Sequence, residues 1–291
     1  MNNNIMAKRI IKITLFVVSI AIVWLLLSLC QSMFSSSVTI GNDLIVTGHR
    51  GGAGYGNENT ISCISRSLDK GVESLEIDVH LTSDSRIVVC HDERVDRTTN
   101  GKGKISEMTF EQLRALRIVD KNGNVTDETI PELCEILELI DGKSHLLLEI
   151  KNKADRVGPL EQAVVDELAR FNTHNWVTIQ SFGDKTLEVI HQMDPSLRLE
   201  KLLFFRVIGL PIIFDGEFSY FSFKKYNYVE SMNFFYKSVS KSLVKKMHDN
   251  NMRVRVWTIN ELSKMPKSGV DGIITDYPDA FNEAFSKTAN H

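Results

Sequence analysis

The hydrophobic and polar positions fall into two regimes. Residues 13–30, ITLFVVSIAIVWLLLSLC, form an uncharged apolar run, and as a helix it would rise roughly 27 Å, close to the hydrocarbon thickness of a bilayer. Beyond a polar stretch at 31–43, short apolar runs of strand character alternate with segments of helical periodicity. Strands are predicted at 44–48, 74–79, 145–150, 177–181, 198–203, 229–232, 254–258 and 272–275. Helices are predicted near 60–70, 131–140, 159–171, 184–193 and 241–250, with a short one at 261–267; several carry a start signal, such as Asn59 before Thr60. Eight strands in this alternation predict an α/β fold, a parallel (β/α)8 TIM barrel.

A further apolar run at 87–91 does not fit a parallel crossover, which needs a dozen or more residues, because only 81–86 separates it from the second strand. It is instead predicted to pair antiparallel in a hairpin turning at Ser83, Asp84 and Ser85. Folding about Asp84 sets Asp78 opposite Cys90, beside His91. Residues 92–129 then read as a small insertion after that hairpin, within a barrel domain at 44–291.

Charge orients the first regime. Lys8, Arg9 and Lys12 precede the apolar run, and 31–47 carries no Lys or Arg, so a retained transmembrane anchor would leave 1–12 in the cytoplasm, 31–43 as a stalk and the barrel outside the cytosol, at the cell membrane. A cleaved signal peptide is the competing reading. Cys30 stands where a lipoprotein would be acylated, but Leu29 occupies a position that wants a small residue. Net charge of -3 supplies no basic field, which excludes nucleic acid as a partner. Cys63, Cys90 and Cys134 form no disulfide framework and read as small apolar side chains.

The candidate chemistry lies in seven short motifs: His49-Arg50-Gly51, Glu58-Asn59-Thr60, Glu76-Ile77-Asp78-Val79, Val88-Val89-Cys90-His91-Asp92, Leu148-Glu149-Ile150-Lys151, Trp257-Thr258-Ile259-Asn260 and 272–278, GIITDYP. In this order they resemble the signatures of glycerophosphodiester phosphodiesterases over nearly everything from 46 to 281. The resemblance implies metal-dependent hydrolysis of a glycerophosphodiester to an alcohol and glycerol 3-phosphate. It makes His49 and His91 the catalytic acid and base and Glu76, Asp78 and Glu149 the ligands of a divalent cation.

Elementary chemistry supports those roles. Glu76 and Asp78 are two apart on a strand and face the same side. Three carboxylates at one barrel mouth need a cation between them, and all-oxygen ligation suits Mg²⁺ or Ca²⁺. Phosphodiester hydrolysis takes a proton from the attacking oxygen and returns one to the leaving alkoxide, which two imidazoles can divide. Arg50 and Lys151 are the candidate phosphate partners. Glu58 is expected to reach the metal or hold Arg50, Asn59 to cap the following helix rather than act as a ligand, and Trp257 to cover the glycerol moiety or to pack. The glycine-rich stretch 51–56 matches no phosphate-loop spacing and reads as a flexible rim turn. His80, His145, His174, His191, His248 and His291 lack such a context.

The stretch 204–228 is aromatic and departs from a barrel helix. With an anchor, it suggests contact with lipid or an acyl chain, for which Phe218 and Phe221 are the candidates; plain core packing is the competing reading. Two rival functions follow: a lysophospholipase D acting on a single-chain lysophospholipid, and a non-catalytic barrel that binds phospholipid head groups.

Overall fold

The computed structural model describes residues 44–151, 157–266 and 268–289; the expected anchor and stalk lie outside them. Twelve strands are present: β1 Ile45–Gly48, β2 Ser74–Leu81, β3 Ile87–Val89, β4 His145–Ile150, β5 Val177–Ser181, β6 Arg198–Leu203, β7 Phe205–Arg206, β8 Ile212–Phe214, β9 Phe218–Tyr220, β10 Ser231–Phe235, β11 Arg253–Trp257 and β12 Gly272–Thr275. Parallel pairing runs β1-β12-β11-β10-β6-β5-β4-β2, and β1 also pairs with β2, closing the predicted eight-stranded barrel. The helices are α1 Ile61–Asp69, α2 Phe110–Arg114, α3 Leu133–Ile140, α4 Pro159–Arg170, α5 Asp184–Met193, α6 Lys241–His248 and α7 Pro278–Ala289. Among the described residues no helix is long and apolar enough to cross a membrane.

Strand faces turned toward the helices bury Ile77, Leu146, Leu148, Ile179, Leu199 and Val254 completely. The barrel interior is polar instead. Arg255 pairs with Glu200 at 2.9 Å, and Asn233 donates to both Glu200 and Gln180. These charged groups are buried yet partnered, as burial requires.

β3 pairs antiparallel with β2, Val79 facing Val89, and the Cys90 amide donates to the Asp78 carbonyl at 2.9 Å. The fold about Asp84 is therefore the predicted one. Residues 92–129 gather a core of their own, in which Val95, Ile105, Leu113 and Ile118 pack with Val88, Cys90 and Ile130.

Four expectations need correction. The sixth barrel strand is Ser231–Phe235 rather than 229–232; Val229 is buried ahead of it, so an apolar run misjudged the start. The aromatic stretch contains an antiparallel sheet, β7-β8-β9, in which Phe218 is 61% exposed whereas Phe221, just beyond β9, is only 3% exposed. Phe221 belongs to the core. The turn at 51–56 is close-packed: a Cβ on Gly51 would meet Ile64 at 2.6 Å and one on Gly54 would meet Tyr277 at 2.3 Å. Finally, Thr60 caps α1 by accepting from the Cys63 amide, while Asn59 sits at φ 58° with its side chain elsewhere.

Candidate active site

Strand direction places the expected residues at one end of the barrel. β1 runs into a turn that holds His49 and Arg50, β2 carries Glu76 and Asp78, β4 carries Glu149, and Lys151 follows it. In register Asp78 stands beside Glu149. One carboxylate oxygen each from Glu76, Asp78 and Glu149 lies within 4.8 Å of the others, and all three residues are buried.

A cation fits this cluster on the chemistry of its donors. Lys151 is the ammonium in contact, 2.6 Å from Glu149 and 3.0 Å from Asp78, one positive charge against three carboxylates. Burial and the charges of Asp78 and Glu149 push Glu76 well above the usual carboxylate range. Burial, opposed by Lys151, leaves Glu149 raised to about 7. Asp78 goes the other way: burial alone would raise it, but Lys151, His91, Asn59 and Arg50 outweigh that and hold it low. Three carboxylates crowded in this way favour a divalent cation among them.

Backbone and side chains aim the triad. The Arg50 amide, at φ 49°, donates to Glu76 Oε2 at 2.8 Å. Asn59, absent from the expected ligand set, donates from Nδ2 to Asp78 Oδ2 at 2.9 Å, and its own Oδ1 is buried without a hydrogen-bond partner. That orphan oxygen is the kind of donor a cation completes.

Each histidine is held by a carboxylate. His49 Nδ1 lies 2.7 Å from Asp276 Oδ1, and Asn260 Nδ2 donates to the other Asp276 oxygen at 2.6 Å. His91 Nδ1 lies 2.7 Å from Asp92 Oδ1. Both acids sit below the ordinary carboxylate value: burial opposes this at Asp276, but His49 and Asn260 outweigh it, and at Asp92 the Arg97 guanidinium leads. The carboxylate acceptor engages Nδ1 and leaves Nε2 of each ring as the nitrogen free to exchange a proton. Burial, with Lys151 and Arg50 nearby, lowers His91 itself despite the pull of Asp78. His80 Nε2 lies 3.2 Å from the His91 carbonyl and braces that loop.

Glu58 holds Arg50, accepting from Nη1 at 2.9 Å, and also accepts from Nη1 and Nη2 of Arg97. Arg97 in turn donates to Asp92 through Nε at 2.7 Å. Sequence reasoning assigned no role to Arg97, Asp276, Asn260 or Asp92, although all but Arg97 lie in the quoted motifs. Trp257 is packed: its ring contacts Phe182, Phe204 and Phe235, and its Nε1 donates to the Asn233 carbonyl at 2.9 Å. A cleft of about 1000 Å³ opens beside His91 and Lys151, lined also by Leu81, Ser106 and Leu160.

The family model for the glycerophosphoryl diester phosphodiesterase family matches residues 49–280. A glycerophosphodiester phosphodiesterase of Caldanaerobacter subterraneus is 34% identical over 81% of this chain and 95% of its own length. One from Bacillus altitudinis is 32% identical over 79% of this chain and 94% of its own length. Among solved structures, an Oleispira antarctica phosphodiesterase in complex with the product sn-glycerol-3-phosphate superposes with a TM-score of 0.72 at 22% identity, covering 87% of this chain and 98% of that one. The Thermotoga maritima glycerophosphodiester phosphodiesterase gives 0.65 at 21% identity, covering 84% and 99%. With a family match spanning its barrel from the His49 turn to the start of α7, the chain belongs to the glycerophosphoryl diester phosphodiesterase family.

Proposed function

We propose that this protein hydrolyses glycerophosphodiesters to an alcohol and glycerol 3-phosphate in a cation-dependent reaction. The observation that carries the reading is the buried Glu76, Asp78 and Glu149 cluster beside two histidines, each tied through Nδ1 to its own carboxylate. When bound there, Ca²⁺ or Mg²⁺ would supply Lewis-acid stabilisation of charge on the phosphoryl oxygens. Curated relatives carry the name of this activity, and the Oleispira enzyme was captured with its product.

The chain's own groups divide the remaining work. Nε2 of one histidine takes the proton of the attacking oxygen, and Nε2–H of the other returns one to the leaving alkoxide. An attacking water and a neighbouring hydroxyl of the substrate surrender their proton to the same nitrogen. Arg50 keeps its Nε buried and without a partner, a donor for a phosphoryl oxygen. The cleft beside His91 has room for the departing alcohol. Residues 13–30 are the natural membrane span of this enzyme, with 1–12 in the cytoplasm and the barrel outside the cytosol.

The test is release by the full chain of glycerol 3-phosphate from glycerophosphocholine and glycerophosphoglycerol, and of lysophosphatidic acid from lysophosphatidylcholine, with and without chelator. Release abolished by EDTA and restored by Ca²⁺ or Mg²⁺ is expected. Activity indifferent to EDTA, or retained in His49→Ala, would sink the mechanism.

A further inference from the structure

Beside the active site stands a sheet face with two aromatic rings exposed among the described residues. The register of β7, β8 and β9 puts Phe205 opposite Phe214, Phe214 opposite Phe218, and Ile212 opposite Tyr220. Residues so paired share a face, so Phe205, Ile212, Phe214, Phe218 and Tyr220 lie on one side, which carries no charge. The other side holds Ile213, completely buried, and turns inward. On the first side Phe218 and Tyr220 are 61% and 63% exposed.

The exposure is lopsided. Of the nine exposed large hydrophobic residues among the described ones, six (Ile208, Leu210, Phe218, Tyr220, Leu262 and Tyr277) lie after the C-terminal ends of β6, β11 and β12. That is the end of the barrel where the acidic cluster opens. The rings are also continuous with the mouth: Trp257 meets Phe204 at 5.4 Å between centroids, Phe204 meets Phe214 at 5.7 Å, and Phe214 meets Phe218 at 5.0 Å.

We propose that the β7-β8-β9 face docks on the surface of a lipid bilayer, with Phe218 and Tyr220 entering the interfacial layer. The occupant follows from the chain that precedes Leu44. Its apolar run at 13–30 holds the barrel at a bilayer, on the membrane-span reading given above. The thirteen residues 31–43 reach about 45 Å when extended, longer than the roughly 26 Å rise of an eight-residue strand such as β2. The tether is thus long enough to let the catalytic end turn to the membrane, although it enters at the opposite end of β1. Aromatic rings with one polar atom, as in Tyr220, favour that interface.

The experiment uses the full chain reconstituted in phosphatidylcholine vesicles, with or without bromine on the acyl chains, and the variant Tyr220→Trp. Subtracting the wild-type emission of three tryptophans isolates the added indole. Its emission falls about two-fold or more in brominated vesicles if the ring enters the interface, and Phe218→Glu in the same background abolishes the loss. A vesicle-bound chain whose added indole is not quenched overturns docking, as does quenching that survives Phe218→Glu. A lipid-independent change that grows with protein concentration would put a second copy on the face and overturn it too. A chain that leaves the vesicles altogether removes both the anchor and the docking. Failure of the phosphodiesterase reading shows separately, as no hydrolysis of glycerophosphocholine with quenching intact.

Discussion

Asp276 receives Nδ1 of His49 at 2.7 Å although 227 residues separate them in the chain. Barrel closure makes them neighbours, because β1 and β12 pair in parallel and their C-terminal ends deliver one residue each. The contact fixes both the tautomer and the direction of the ring.

Asp276→Asn therefore lowers kcat by about 10- to 100-fold with little change in KM, the usual scale for a group that orients a reacting one. An Asn260→Ala variant shows a smaller loss of the same kind. Steady-state kinetics on glycerophosphocholine checks both; an unchanged kcat in Asp276→Asn removes the orienting role.

Arg97 joins Glu58 and Asp92, and through them Arg50 and His91. Replacing it by Gln leaves two carboxylates facing each other without their common cation. The expected result is a loss of about ten-fold or more in kcat/KM, with partial rescue by Arg97→Lys, which restores charge but not the fork. Equal activity of the Gln and Lys variants contradicts the expectation.

Cation binding and pH are linked through Glu149. Its folded pKa of about 7 lies above the ordinary 4.5. Its contribution to stability is accordingly complete below the ordinary value and is lost as pH rises through about 7. A bound cation replaces the proton that has then departed, so Ca²⁺ or Mg²⁺ raises Tm more at about pH 8 than at about pH 5.5. Calorimetry at the two pH values decides; an equal or reversed difference contradicts the proton-for-cation exchange.

Lys201 tests the support of the aromatic sheet. Completely buried, it lies 2.7 Å from Asp215 and 3.0 Å from Asp184 and donates to the Phe182 carbonyl. Lys201→Met leaves Asp215 without its ammonium, while Asp184 keeps Lys225 and the Tyr226 hydroxyl, and costs about 3–5 kcal/mol, as breaking a buried pair does. Denaturant unfolding measures it, and a cost below about 1 kcal/mol would contradict the assignment.

Much of this arrangement is legible locally. The strands at 145–150, 177–181, 198–203 and 272–275 coincide with the predicted ones because short segments with apolar residues at alternate positions or in runs, bounded by turns, mark strands. The hairpin was legible through length alone, since no crossover fits in 81–86. Where two neighbours offer the same chemistry, local reading fails: Asn59 and Thr60 are both good caps, and only the position of Asp78 shows which is used otherwise. Partner choice across distance is harder still. Nothing near Arg97 in the sequence announces Glu58, 39 residues earlier, and Lys201, on a strand that also carries Arg198 and Glu200, gives no sign of Asp215 in the sheet that follows. Trp257 carried two readings, and its neighbours Phe182, Phe204 and Phe235 favour packing.

The separate core of residues 92–129 has a thermodynamic consequence. A segment with its own buried cluster can open as a unit below the free energy of global unfolding. Such opening would carry Arg97 and Asp92 away from Glu58 and His91 while β2 and β4 kept the acidic cluster assembled. The two halves of the site would then separate by cooperative unit: the barrel governs whether a cation can be held, and the insertion governs whether the groups around it are in register.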